Sequence, residues 1–287
     1  MERNNLARPP VAIGGVGGSG TRLVAQLLAD LGFFLGADLN ESYDNLWFTL
    51  LFKRREILQA GHEELADLIA IFRGAMTNPR PLSTAQLGLV QHLAEADRLA
   101  HDAEWLRHRA LSLESWSARG KPTSGAWGWK EPNTHVVLER LEPLLPGMKY
   151  IHVVRNGLDM AYSSNQSQLR LWGPSFLGCE EIADASPRLS LKYWHAVHRA
   201  ALDHRRRLGN RFLLLNYDRL CTDPEESLGT LLHFLEAEPA RSTLDRLLAS
   251  IRPPESVGRF RQHPPSDFDP EDVAFARELG FDTDYGR

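Results

Sequence analysis

The sequence predicts an α/β fold in which a central parallel sheet is flanked by helices. Three observations carry that prediction. Residues 11–32, VAIGGVGGSGTRLVAQLLADLG, read as a short apolar strand, a glycine-rich turn and a helix. Residues 150–166, YIHVVRNGLDMAYSSNQ, repeat the same order. Phe212–Leu215 is a further apolar strand, and Asp223-Pro224-Glu225-Glu226 opens a helix soon after it with a cap and a first-turn proline.

Taken in order, residues 1–10 are polar and end in proline, the composition of a loose segment. Val11–Ile13 is a buried strand. The next helix places Leu23, Val24, Leu27, Leu28 and Leu31 at helical spacing and stops at Gly32. Residues 33–52 are rich in aromatics and irregular in pattern. The pattern turns helical from Lys53 to about Phe72. Ser83-Thr84-Ala85-Gln86 has the form of a capping box. A long amphipathic helix is expected after it, with Leu89, Leu93, Ala96, Ala100, Ala103, Ala110 and Leu113 on one stripe. This helical block, about 53–118, reads as an insertion or lid within a single domain of 287 residues.

Residues 119–126 form a loop, and Trp127–Lys130 a strand cut by Pro132. Val136–Leu145 is expected to be a helix, ended by Pro146-Gly147. Lys149–Val154 is a buried strand, with a helix soon after Asn156. Ser190–Leu208 is helical and basic at its end, which suits a helix C-terminus. Asp269-Pro270-Glu271-Asp272 repeats the cap-and-proline device before a last helix that ends at Gly280.

Composition narrows the function. The formal net charge of −4 argues against a nucleic-acid binder working through a general basic surface, so any anion site is local. The two cysteines, Cys179 and Cys221, are far apart and lack metal-ligand spacing, which fits a reducing compartment. No window suits a signal peptide or a membrane span, and a cytoplasmic protein is the expectation.

The glycine-rich turn admits three phosphate-binding readings. Gly15, Gly17 and Gly20 satisfy G-x-G-x-x-G with Asp38 further on, but nothing in the rest of the chain builds a second nucleotide half. Gly15 to Gly20 also satisfies G-x-x-x-x-G. Thr21 and Arg22 then stand where a nucleoside triphosphatase needs Lys and Ser/Thr, and no apolar strand ends in an obvious magnesium-holding Asp unless Asn216-Tyr217-Asp218 is stretched to fit. The third reading needs neither lysine nor metal at the loop. Ser19-Gly20-Thr21 opens the helix, and its N–H groups and hydroxyls hold one phosphate. A plain glycine turn is the bland alternative, disfavoured because so many glycines cost backbone entropy and signal close approach by another group.

A second anion site is expected at the other strand–turn–helix. Arg155 ends the strand, and Ser163, two helical turns on, faces the same side. An arginine fork with a hydroxyl suits a phosphate monoester. Asp159 reads as structural, orienting Asn156 or Arg155. Two phosphate sites at two strand ends suggest a nucleotide phosphorylated at both its 5′ and 3′ positions.

Here the chain resembles the sulfotransferases that use 3′-phosphoadenosine 5′-phosphosulfate. Ser19-Gly20-Thr21 matches the family's S-G-T after a strand, and Arg155, Asn156, Asp159 and Ser163 match its R-N-x-x-D-x-x-x-S. The segment 128-GWKEP-132 looks like its lysine strand, and 214-LLNYDRLCTDPEESLGTLLHFL-235 like its closing strand and helix. The likeness spans about 11–45 and 127–236. It implies a P-loop-like sulfotransferase fold, with the donor held by Gly17, Gly18, Ser19, Gly20, Thr21, Arg22, Arg155 and Ser163. It departs at Gly18, where many members carry Arg or Lys and for which Arg22 could compensate. It departs also at Gly157, a common proline, and at Pro132, where the cytosolic branch has a histidine. The resemblance implies Lys130 as the group that stabilises charge on the leaving oxygen, without magnesium. It implies a carboxylate base in 36-GADLNESYDNLW-47: Glu41 first, then Asp44, then Asp38, with His135 as an outside candidate.

Trp47, Phe48, Trp127, Trp129, Tyr162 and Trp172 are either core or platforms for adenine, a sugar or a phenol. Residues 53–118 could cover the acceptor site, and Arg259 and Arg261 could join the 3′-phosphate pocket. The rival readings are a kinase-like phosphotransferase and a non-catalytic nucleotide-binding protein on the same fold. Carbohydrate, lipid-linked sugar, phenol and peptide tyrosine all stay open as acceptors, as does the oligomeric state.

Overall fold

The computed structural model describes residues 9–96, 98 and 100–286. The expected loose segment 1–10 therefore lies outside them but for its last two residues, of which Pro10 is buried. Strands β1 (Val11–Gly15), β2 (Gly128–Lys130), β3 (Lys149–Val154) and β4 (Phe212–Asn216) form one parallel four-stranded sheet in the order β2-β1-β3-β4. β1 and β2 pair in parallel with Val11 opposite Gly128 and Ile13 opposite Lys130. Both are buried along their whole length, as strands covered on two faces must be. The described chain divides into two compact units. One holds the residues up to Ile13 with Val24–Tyr150, the other Gly14–Leu23 with the residues from Ile151 onward.

In the first unit, helix α1 (Thr21–Asp30), most of which belongs here, ends as expected. Gly32 N–H bonds to Ala29 and Phe33 N–H to Leu28, the paired bonds of a Schellman stop. The irregular stretch 33–52 contains a helix the pattern did not reveal, α2 (Leu46–Phe52), capped by Asn45 Oδ1 accepting from Phe48 N–H at 2.9 Å. Every residue of LWFTLLF is buried, so there is no polar face to show a helical period. Phe48, Phe52, Phe72 and Trp129 pack around it as one aromatic core.

The single long helix expected after Ser83 is two: α4 (Thr84–Glu95) and α5 (Ala103–Arg119) follow α3 (His62–Thr77). The capping box at Ser83 and Gln86 forms. The break is held by Asp102, which accepts from Trp105 N–H at 2.8 Å and starts the second helix. Arg98 turns back to the carbonyls of Thr49, Leu50 and Leu93. Helix α6 runs Thr134–Leu141, not Val136–Leu145, and tightens into a 3-10 turn over Glu142–Leu144. Pro143 has no N–H for the α-helical ladder.

In the second unit, α7 (Gly157–Ala161) follows β3 but lasts only five residues before α8 (Ser167–Leu177) begins anew. Helix α9 (Pro187–Leu208) carries the expected basic end. β4 runs straight into α10 (Tyr217–Thr222), and Asp223 caps α11 (Pro224–Leu235) by accepting from Glu226 N–H. Helices α12 (Arg241–Ser250) and α13 (Pro270–Glu278) complete the chain. The Asp269 side chain does not cap α13. It accepts from Arg188 at 2.6 Å instead. Among the described residues no helix is long and apolar enough to cross a membrane.

Candidate functional site

Both expected anion elements fall in the second unit. β1 delivers the chain into the turn Val16–Gly20, and α1 starts at Thr21. Ser19 is fully buried and its Oγ has no hydrogen-bond partner. Such an atom costs about 1–3 kcal/mol unless something accepts from or donates to it. Gln168 Nε2 pins the turn from behind by donating to the Gly15 carbonyl at 3.2 Å. Gly18 and Gly20 lie at φ +92° and +93°, in the left-handed region. Arg22 points to solvent.

The glycines have separable causes. A Cβ on Gly15 would sit 2.4 Å from the Val153 carbonyl oxygen, and one on Gly20 only 2.0 Å from the Tyr217 ring. At these two positions the approaching group is the protein itself. Gly18 differs, since its Cβ would meet only Met160 at 4.0 Å. Gly20→Ala combines a disfavoured φ with an overlapped ring, and is expected to destabilise by about 2–5 kcal/mol. A urea midpoint equal to that of the parent would refute this account of the turn.

Arg155 follows β3, and its guanidinium is largely buried. Nη1 donates to the Gly18 carbonyl at 3.3 Å, joining two motifs 137 residues apart. Nη2 donates to Ser256 Oγ at 2.7 Å, and Nε lies 3.9 Å from Asp218 Oδ1. Its own carbonyl accepts from Trp194 Nε1 at 3.1 Å, so the backbone is fixed too. Asn156 caps α7 by accepting from Leu158 N–H, and its own N–H goes to Asp218 Oδ2 at 2.8 Å. Burial pushes the Asp218 carboxyl up, opposed by the Asn156 N–H and the Arg155 charge.

Two expectations about this motif need correction. Ser163 is not two turns along a helix, because α7 stops at Ala161; it lies in the turn after it, its Oγ accepting from Asn165 N–H at 3.2 Å. Asp159 orients neither Asn156 nor Arg155. Its two oxygens accept from Gly258 N–H at 2.8 Å and Phe260 N–H at 3.0 Å, tying down the segment that carries Ser256. In that segment Arg259 donates to the Tyr162 carbonyl at 3.1 Å, while Arg261 is paired with Asp282 and the Asp284 carbonyl.

The first unit holds the lysine, carboxylate and histidine candidates. Lys130 is buried at the end of β2, opposite Ile13, the residue immediately before Gly14. Its Nζ donates to Asp44 Oδ1 at 2.5 Å and to the Ser42 carbonyl at 3.0 Å. Asp38 accepts from Arg109 at 2.6 Å. Glu41 is exposed. His135 Nδ1 lies 2.9 Å from the Pro132 carbonyl. The structure thus brings Lys130 and Asp44 together and directs Asp38 to a different cation. Glu131, which the sequence did not single out, is wholly buried beside Lys53 and Asn133, and burial pushes its carboxyl up. Trp47, Phe48, Trp127, Trp129 and Trp172 are core residues. Tyr162 is engaged by Asp267 and stacks on His263.

The sulfotransferase family profile matches residues 9–240. No curated protein matches the sequence. Among solved structures, the sulfotransferase domain of the olefin synthase of Synechococcus PCC 7002 superposes with a TM-score of 0.52 at 18% identity, over 97% of this chain and 96% of that one. The sulfotransferase domain from the curacin biosynthetic pathway gives 0.52 and 18%, over 96% and 99%. At such identity the likeness is one of fold.

Proposed function

Because the chain belongs to the sulfotransferase family, we propose that it moves a sulfuryl group from 3′-phosphoadenosine 5′-phosphosulfate to an acceptor hydroxyl on a carbohydrate, glycolipid or other small molecule. The observation that carries this reading is the hydrogen bond from Arg155 to the Gly18 carbonyl, which puts an arginine fork beside a phosphate-type turn. The residues fit the donor. The buried, unpartnered Ser19 Oγ and the open space over Gly18 suit an anion at the mouth of α1. Gly17, Gly18, Ser19, Gly20 and Thr21 would hold its 5′ end, with Arg22 at the rim. Arg155 and Ser163 would hold its 3′-phosphate.

The donor, when bound, supplies the sulfuryl group and leaves as a stable nucleotide bisphosphate. Lys130 contributes a buried cation that stabilises charge developing on the leaving oxygen. Glu41 takes the acceptor proton on its carboxylate, with Asp44 second because its Oδ1 is committed to Lys130. Helices α3–α5 are proposed to cover the acceptor. The two free cysteines accord with work in a reducing cytoplasm.

Adenosine 3′,5′-bisphosphate is expected to raise the melting temperature, and ATP with magnesium to leave it unchanged. The opposite ranking would sink this reading in favour of a phosphotransferase. Glu41→Gln is expected to lose most turnover, followed as +SO₃ products by mass spectrometry, while bisphosphate affinity stays. Near-parental turnover in that variant removes Glu41 from the role.

A further inference from the structure

The tip of β4, Asn216-Tyr217-Asp218, touches both anion elements of its unit. The Tyr217 ring fills the space that Gly20 leaves, and Arg155 Cζ lies 5.5 Å from the ring centroid. Asp218 spans the start of the second motif: Oδ2 takes the Asn156 N–H, and Oδ1 faces Arg155 Nε at 3.9 Å. Oδ1 and Nε are both buried, and neither has a hydrogen-bond partner. A buried carboxylate oxygen and a buried guanidinium N–H, each unsatisfied and each the other's neighbour, form a pair held by charge.

We propose that Asp218 is the positioning residue for the donor's 3′-phosphate: it holds the Arg155 guanidinium by its Nε edge and leaves both Nη groups for the anion. This rests on the reading of Arg155 as the 3′-phosphate ligand. The way Arg155 divides its donors supports it. Nη1 and Nη2 meet a backbone carbonyl and a serine hydroxyl, neutral acceptors that a phosphate oxygen outcompetes. Among the described residues, the carboxylate within ion-pair distance of this guanidinium is Asp218, and it approaches the Nε edge. A carboxylate on the Nη edge would repel the ligand. On the Nε edge it fixes the plane of the fork and leaves the bidentate face with neutral acceptors only, which a phosphate can displace. The Tyr217 ring limits tilting of that plane. The Asn156 N–H bond fixes the carboxylate in turn, so backbone, acid and arginine form one connected set.

The test is calorimetric titration of adenosine 3′,5′-bisphosphate and of adenosine 5′-phosphate into the parent, Asp218→Asn, Arg155→Met and the double variant. Asp218→Asn is expected to weaken the bisphosphate roughly tenfold, the size of one lost charge-assisted contact. It should leave the monophosphate unchanged, and it should have no effect once Arg155 is methionine. In turnover the donor KM rises and kcat at saturation holds. Equal weakening of both nucleotides, or an undiminished effect in the Arg155→Met background, would show a merely structural role and overturn the proposal. Should the parent itself fail to prefer the bisphosphate, the reading of Arg155 falls first and this inference with it. Asp218→Ser keeps an acceptor for the Asn156 N–H while removing the charge. It replaces the asparagine variant if that one folds poorly, with the same two outcomes for and against.

Discussion

Replacing Arg155 with methionine is expected to weaken adenosine 3′,5′-bisphosphate roughly 100- to 10,000-fold while sparing adenosine 5′-phosphate. The size follows from the two Nη donors, each capable of a charge-assisted bond to phosphate worth about 1.5–3 kcal/mol. The selectivity follows from position. Arg155 ends β3, whereas the 5′ end of the nucleotide is assigned to the mouth of α1. Methionine keeps much of the apolar stem, and with it packing near the Tyr217 ring. Titration calorimetry on both nucleotides decides the matter. Equal losses for the two, or none for either, would mean that Arg155 serves the fold or the surface and not the 3′-phosphate.

Lys130→Met is expected to fail differently: kcat should fall roughly 100- to 1,000-fold, with nucleotide affinity nearly kept. A lone preorganised cation aimed at a developing oxyanion typically contributes that much. Lys130 is preorganised here, since Asp44 Oδ1 and the Ser42 carbonyl fix its Nζ in a buried position. Its strand pairs in parallel with β1, Lys130 standing opposite Ile13. Initial rates at saturating donor, corrected for the folded fraction, measure the effect. A variant that turns over at the parental rate would end the assignment. A donor KM raised in proportion would recast Lys130 as a binding residue.

Most short-range signals in the sequence hold, the Asp269 cap before α13 excepted. The strand-turn-helix at 11–32, the Gly32 stop, the Ser83 capping box and the Asp223 cap all stand where the residues put them, since each depends on neighbours within a few positions. What escaped depends on distant partners or on burial. Helix α2 is invisible to periodicity because all its faces are covered. The break between α4 and α5 is held partly by Arg98 reaching carbonyls 48 and 49 residues away. The early end of α7 displaced Ser163 from the face that helical spacing assigned to it. Asp159 found its partners 99 and 101 residues on, and Asp218 its partner 62 residues back. Local motifs single out Ser19, Arg155 and Lys130 as the groups proposed to carry the chemistry. The supporting acids around them could not be read this way, because which backbone N–H or guanidinium an acid meets is set by the sheet order.

The most direct measurement is a crystal structure with adenosine 3′,5′-bisphosphate bound. The 5′-phosphate is expected on the N–H groups of Ser19-Gly20-Thr21, and the 3′-phosphate on the Nη edge of Arg155 with Ser163 beside it. A ribose phosphate lying away from Arg155, or a nucleotide seated elsewhere in the chain, would contradict this placement.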